Sequence, residues 1–192
     1  MKKETKEQGR RILRPVIRLF ASIGISPNAV TLAALPLSVG AAILYARGFF
    51  LWAGIVTALV GLCDTIDGEL SRLTGKLSST GAILDSTVDR LSEGIIFVGV
   101  GWYYFSINHF FTLIAMLALL FSFMVSYVRA RAEGTGRDCQ VGFFERPVRV
   151  MMLLFSAIIL GKSYLPIGLA VIVAGTLATF IYRLAYVLRP RG

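Results

Sequence analysis

Cysteine and histidine are almost missing from this chain of 192 residues: Cys63, Cys139 and His109 are all there is. One cysteine lies inside an apolar run and the other in a polar stretch, so they form no disulfide framework. With no cluster of nitrogen and sulfur ligands, zinc is disfavoured. His109, in "SINH", reads as a solvated or interfacial side chain. Charge is scarce as well. Only 16% of the residues are charged and 56% are hydrophobic, whereas a soluble domain carries about a quarter charged residues. Strand-like alternation, internal repeats, low-complexity tracts and a second domain are all lacking. The basic N-terminus runs into more charge rather than an apolar core region, so it does not read as a signal peptide.

What the chain does have is apolar runs, at about 28–46, 49–63 (continuing helically to 72), 81–104, 107–128, 147–161 and 165–188. Most approach the roughly 20 residues that span a hydrocarbon core, and lipid tolerates only helices there when no closed barrel is available. The expected fold is therefore an all-α integral membrane protein with six transmembrane helices over 26–192. Residues 1–25 are expected to form a cytoplasmic juxtamembrane amphipathic segment. Its apolar stripe is Ile12, Leu13, Val16, Ile17 and Phe20, with Arg10, Arg14 and Arg18 elsewhere. Ser26 and Pro27 read as the cap and first turn of the next helix.

Lys and Arg set the orientation. Lys2, Lys3, Lys6, Arg10, Arg11, Arg14, Arg18, Arg72, Lys76, Arg129, Arg131, Arg137, Arg146, Arg149, Arg189 and Arg191 fall on one side of a six-span topology. Arg47 and Lys162 fall on the other. The positive-inside rule places both termini and the 64–90 hairpin in the cytoplasm, which predicts an inner or plasma membrane protein. The net charge of +9 then reads as a basic face near anionic lipid. Nucleic acid is not an expected partner, because the basic residues are spread over membrane-proximal loops.

Residues 64–90 break the apolar pattern with four aspartates, one glutamate and three basic residues. At about 100° per residue, Asp64, Asp67, Gly68, Ser71 and Arg72 share one arc of roughly 140°, and Gly81, Asp85 and Asp89 share an arc of about 80° on the next helix. The aspartates all lie roughly 9–15 Å from the connecting turn. Glu69 falls off the arc. An aspartate near a span's centre costs about 2.5–3.5 kcal/mol, and carboxylates of one sign repel, so packing alone does not account for the grouping. Gathered carboxylates share protons or hold cations. An all-oxygen set favours Mg²⁺, Mn²⁺ or Ca²⁺, and four carboxylates suffice for two ions. Gly68 and Gly81 admit either a close ligand or close helix packing.

This spacing resembles the signature of the CDP-alcohol phosphotransferases, DxxDGxxAR-x8-GxxxDxxxD, at seven of eight specified positions; Ser71 stands where alanine is usual. The resemblance implies an enzyme that displaces CMP from a CDP-lipid donor with a hydroxyl of a small acceptor. It implies metal ligands Asp64, Asp67, Asp85 and Asp89 for Mg²⁺ or Mn²⁺, two ions in all. Asp89 would be the catalytic base, and Gly68, Ser71, Arg72 and Gly81 would join Asp64 and Asp67 around the CDP-lipid. A homodimer with a lipid-accessible groove is also implied.

The other cytoplasmic charges point to the acceptor. Arg129, Arg146 and Arg183, with Ser126, suggest an anion pocket, since arginine suits phosphate. Snorkelling is the alternative for any one of them. "LDSTVDR", "SYVRARAE" and "ERPVR" are similar to segments of phosphatidylinositol-phosphate and archaetidylinositol-phosphate synthases. Arg129 replaces a commoner lysine there, and "ERPVR" differs from "ERPER". That likeness implies a phosphorylated polyol acceptor, inositol 1-phosphate, with glycerol 3-phosphate or serine as alternatives. A divalent-cation transporter and a structural scaffold are the rivals outside phosphotransfer.

Overall fold

The computed structural model describes residues 3–189, with side chains from Leu13 onward. Lys2 and Arg191 lie outside the described residues, as do the side chains of Lys3, Lys6, Arg10, Arg11 and Ile12. All regular structure among the described residues is helical: α1 (Lys3–Ser22), α2 (Pro27–Ala46), α3 (Phe50–Thr74), α4 (Ser79–Phe105), α5 (His109–Glu133), α6 (Arg146–Phe155) and α7 (Gly161–Leu188), with a π-helical turn at Ser156–Leu160 between the last two.

Among the described residues, four stretches are long and apolar enough to cross a membrane: Pro27–Ala46, Phe50–Thr74, His109–Glu133 and Arg146–Leu188. α4 is as long as these, but Asp85, Asp89, Arg90 and Glu93 occupy its first half. The fourth stretch is not one rod. Gly161, at φ 67° and ψ −170°, takes a conformation open only to glycine, and the chain turns back there. Gly168 then lies against Ser156, Gly175 against the Phe144 ring and Gly142 against Thr179, a pairing that makes α6 and α7 antiparallel.

The helix boundaries have local causes. Ser26 Oγ accepts from Ala29 N at 3.2 Å at the start of α2, with Pro27 in its first turn, as its sequence suggests. Gly75, at φ 66°, ends α3 in a left-handed cap. Ser78 Oγ accepts from Gly81 N at 3.0 Å to start α4. α1 runs through Pro15 and buries Ile17, packing Leu13, Phe20 and Ala21 around Val30 and Leu70. Val16, on the same apolar stripe, is exposed.

The helix arrangement differs from a simple hairpin in one respect. α2 packs along both α3 and α4, which touch each other little. Small residues make this possible: Ala34, Ser38 and Ala41 are buried on α2, and Gly99 of α4 lies directly on the α2 backbone. Away from the aspartates, Tyr45, Phe50, Phe97, Tyr104, Leu165 and Leu169 fill one dry core. The Tyr104 hydroxyl donates to Lys162 O at 2.9 Å. The opposite end of the bundle holds the charges.

A β-carbon on Gly99 would sit 2.4 Å from Ala42 O and 2.5 Å from Ala42 Cα; only the helices themselves can yield. Gly99→Ala is expected to destabilise the bundle by about 1–3 kcal/mol, measured as a lowered thermal midpoint in detergent.

Candidate active site

Asp64 and Asp67 face the bundle from the last turns of α3, while Asp85 and Asp89 do so from the first turns of α4. One carboxylate oxygen each from Asp64, Asp67 and Asp85 lies within 4.8 Å of the others. Opposite ligand oxygens around an octahedral Mg²⁺ stand about 4 Å apart, at roughly 2.1 Å from the ion, so this triad needs to close only slightly to grip one. Asp85 Oδ1 is buried without a hydrogen-bond partner among the described residues, which a cation would satisfy. The donor set is hard oxygen throughout and fits Mg²⁺ or Mn²⁺.

Asp89 stands apart from the triad and is tied to it through Arg146, the first residue of α6. Arg146 Nη1 lies 2.6 Å from Asp89 Oδ2 and 3.4 Å from Asp64 Oδ1. The spacing of the aspartates thus brings three together directly and the fourth through a cation some 60 residues downstream, which periodicity within α3 and α4 could not have located.

A cleft of about 170 Å³ adjoins the triad, lined by Thr31, Asp67, Gly68, Ser71, Lys76, Gly81 and Asp85 among others. A β-carbon on Gly68 would meet only Arg72 Nη2, at 3.9 Å, so the surface there is open to a ligand. Gly81 is tight instead: its β-carbon would lie 3.0 Å from Ser78 Oγ and 3.4 Å from Asn28 Oδ1. Gly68 leaves room for a ligand, while Gly81 both lines the cleft and packs closely against Asn28 of α2. Ser71 donates back to Gly68 O at 3.0 Å, and Arg72 is exposed and paired with Glu69.

Thr31 was not singled out from sequence. Its hydroxyl lies 2.5 Å from Asp67 Oδ2 and also within hydrogen-bonding distance of Pro27 O, so α2 orients a carboxylate of α3. The four-residue offset between Ser26–Pro27 and Thr31 carries no chemical signature, and only the wedge of α2 between α3 and α4 reveals its role.

The basic residues differ in how they are engaged. Arg129 of α5, one turn after half-buried Ser126, binds Glu133 through Nε at 2.8 Å and stands 4.0 Å from Glu145. Arg183 is placed differently from the free cation expected of an anion pocket. Only 2% exposed, it donates to Val141 O at 2.6 Å, Val125 O at 2.9 Å and Glu145 Oε1 at 3.2 Å. Arg149 is 1% exposed and clasps Glu93; that partner also went unrecognised in the sequence. Between α5 and α6 the loop buries Cys139, and burial pushes its thiol up from the ordinary value; both cysteines are free.

Clustered carboxylates beside an open glycine cleft and a semi-buried arginine, at one end of an apolar helical bundle, define a membrane-embedded site suited to a metal-dependent reaction on phosphate esters. Residues 24–183 match the family model for CDP-alcohol phosphatidyltransferase, and the chain belongs to that family. It is 32% identical over 180 residues to the phosphatidylinositol phosphate synthase of Corynebacterium glutamicum, covering 90% of this chain and 82% of that protein. It is 34% identical over 183 residues to the archaetidylinositol phosphate synthase of Methanothermobacter thermautotrophicus, covering 91% of each. Among solved structures it resembles the phosphatidylinositol phosphate synthase of Mycobacterium tuberculosis with CDP-DAG bound. The TM-score is 0.86 at 28% identity, over 95% of this chain and 99% of that one. The same mycobacterial protein in complex with manganese and citrate matches with a TM-score of 0.84 at 27% identity, over 93% and 92%.

If the triad grips a divalent ion, Asp85→Asn weakens Mn²⁺ binding by at least about tenfold, since even outer-shell changes cost 10–100-fold. Electron paramagnetic resonance of free Mn²⁺ measures this without turnover.

Proposed function

We propose that this protein transfers a phosphatidyl-type group from a CDP-linked lipid to a hydroxyl of a phosphorylated polyol, inositol 1-phosphate, releasing CMP. The observation that carries the reading is the Arg146 bridge between Asp89 and Asp64. It puts the best-placed phosphate-binding group within reach of both the proposed base and the carboxylate triad. The relatives named as inositol-phosphate-forming synthases support the same acceptor.

In this reading Asp64, Asp67, Asp85 and Asp89 hold Mg²⁺ or Mn²⁺, two ions when loaded; the mycobacterial neighbour solved with manganese supports the choice. The metal's chemistry there is to neutralise charge on the donor's pyrophosphate. The chain's own residues do the rest. Gly68, Ser71, Arg72 and Gly81 line the path of the cytidine diphosphate, and Thr31 keeps Asp67 oriented. Arg146 and Arg129, with Ser126, receive the acceptor's phosphate, and this places its hydroxyl beside Asp89. Asp89 takes the hydroxyl proton as the oxygen attacks the lipid-side phosphorus. The bond from that phosphorus to the bridging oxygen breaks, and CMP leaves. Arg183 supports the pocket from behind, because its donors are engaged by carbonyls and Glu145.

The same reading takes six segments as spans, namely α2, α3, α4, α5, α6 continued by the π-helical turn, and α7, with α1 lying in the interface. Lys76 and Arg129 at one end of the bundle support a cytoplasmic site in the cell membrane. Membrane lipid and a second copy of the chain are the remaining partners. An apolar groove of about 520 Å³ between α2, α4 and α5 offers a surface for either. A cation transporter is disfavoured, since aromatic and aliphatic side chains fill the far half of the bundle.

The test is CMP release from CDP-diacylglycerol and CDP-archaeol with inositol 1-phosphate, free inositol, glycerol 3-phosphate and serine. The reading expects turnover with inositol 1-phosphate; metal uptake into liposomes without CMP release would replace it with transport. Asp89→Asn is expected to lower turnover at least about a hundredfold, the lower range for a general base, while CDP-lipid still binds. Near-normal CMP release by that variant removes Asp89 from the role.

A further inference from the structure

Arg146 and Arg149 sit one turn apart on α6, and their partners Asp89 and Glu93 sit one turn apart on α4. Among the described residues, the backbone of α6 lies against α3, α7 and the π-helical turn. These two long side chains link it to α4 by ion pairs, so the pairs form two rungs between the helices.

The rungs are unlike each other. Arg149 donates from Nε and Nη2 to the two oxygens of Glu93, both at 2.7 Å, and from Nη1 to Phe144 O at 3.0 Å. Every nitrogen is used, and the pair is 1% and 9% exposed. Fork-to-fork geometry of this kind fixes direction as well as distance. Arg146 Nη1 lies against both of its carboxylates, and its Nε is buried with no partner among the described residues. The deeper rung is therefore saturated and rigid, whereas the outer one has donors to spare.

Phe144 strengthens the contrast. Its backbone nitrogen donates to Thr179 Oγ1 at 3.2 Å, and its ring fills the space where a Gly175 β-carbon would stand. Arg149 thus ties the start of α6 both to α4 and, through Phe144, to α7. Arg146 lies between those two anchors.

We infer that Glu93, acting through Arg149, is a positioning residue that fixes the height and rotation of α6 so that Arg146 meets the acceptor's phosphate beside Asp89. This rests on the proposed acceptor role of Arg146. Neither Glu93 nor Arg149 touches substrate: both are enclosed, and each nitrogen of Arg149 already has a protein partner. Their effect is on where the working arginine stands.

The experiment measures CMP release by the full chain in nanodiscs, with CDP-diacylglycerol and inositol 1-phosphate each varied in turn, for wild type, Glu93→Gln, Arg149→Lys and Arg146→Ala. Mn²⁺ affinity and thermal midpoint are followed in parallel. Arg149→Lys keeps both charges and loses only the fork, so it carries the test should Glu93→Gln not fold. The expected result is an acceptor KM raised roughly tenfold or more in all three variants, the worth of one charge-assisted hydrogen bond. The donor KM and Mn²⁺ affinity of Glu93→Gln and Arg149→Lys stay within about twofold. Lowered kcat with both KM values unchanged in the folded variants means a purely structural pair and overturns the inference. So does an Arg149→Lys enzyme with the wild-type acceptor KM, because charge compensation alone would then suffice. If Arg146→Ala raises the acceptor KM while Glu93→Gln and Arg149→Lys leave it alone, the inference fails and the acceptor reading stands. A wild-type enzyme that does not turn over inositol 1-phosphate, or an unchanged acceptor KM in Arg146→Ala, removes both.

Discussion

Repulsion among carboxylates held in an apolar bundle is the constraint around which this molecule is arranged. Oxygens of Asp64, Asp67 and Asp85 approach within 4.8 Å; at an effective dielectric constant of 20, each charged pair at that distance opposes folding by about 3–4 kcal/mol. The protein meets this with a hydrogen-bonding and a positive group from two neighbouring helices. Thr31 comes from α2, Arg146 from α6, and a divalent ion fits the remaining buried oxygen of Asp85. A bundle whose only requirement was stability would not retain such a cluster, so the cost itself marks the site.

The rest of the architecture can be read as support for that cluster. α2 is wedged between α3 and α4 through small residues, and the wedge both separates the aspartate-bearing helices and delivers Thr31 to Asp67. The dry core around Phe97 and Leu169 makes the far half of the bundle stiff, which holds the near ends at a set spacing. The α6–α7 hairpin, reversed at Gly161, carries Arg146 inward, and Arg183 gathers Val125, Val141 and Glu145 from α5 and the loop beyond it. Binding a charged headgroup at the end of a bundle, rather than within it, also lets the acyl or isoprenoid chains of a donor stay in lipid.

Much of the site was legible before any coordinates. The intervals among Asp64, Asp67, Asp85 and Asp89 obey helical periodicity, and oxygens of the first three do come within 4.8 Å of one another, although Arg72 on the same arc is exposed. Turn chemistry at Ser26, Gly75 and Ser78 likewise sets helix ends locally. On the stripe assigned to α1, Ile17 is covered by the bundle and Val16 is exposed, because which flank of an amphipathic helix is covered depends on the neighbour it meets. Arg183 shows the same limit: an intramembrane arginine advertises an anion in sequence, yet its donors satisfy carbonyls contributed by segments 42 and 58 residues away.

By itself, then, the sequence determined the helices, the hard-oxygen character of the site and the family, since these follow from interactions within a few turns of chain and from residue chemistry. Tertiary structure alone decided that α2 separates α3 from α4, that Asp89 joins the cluster through Arg146, and that Arg149 is locked to Glu93 across 56 residues of chain. Long flexible side chains can reach many partners, and only the packed backbone selects one.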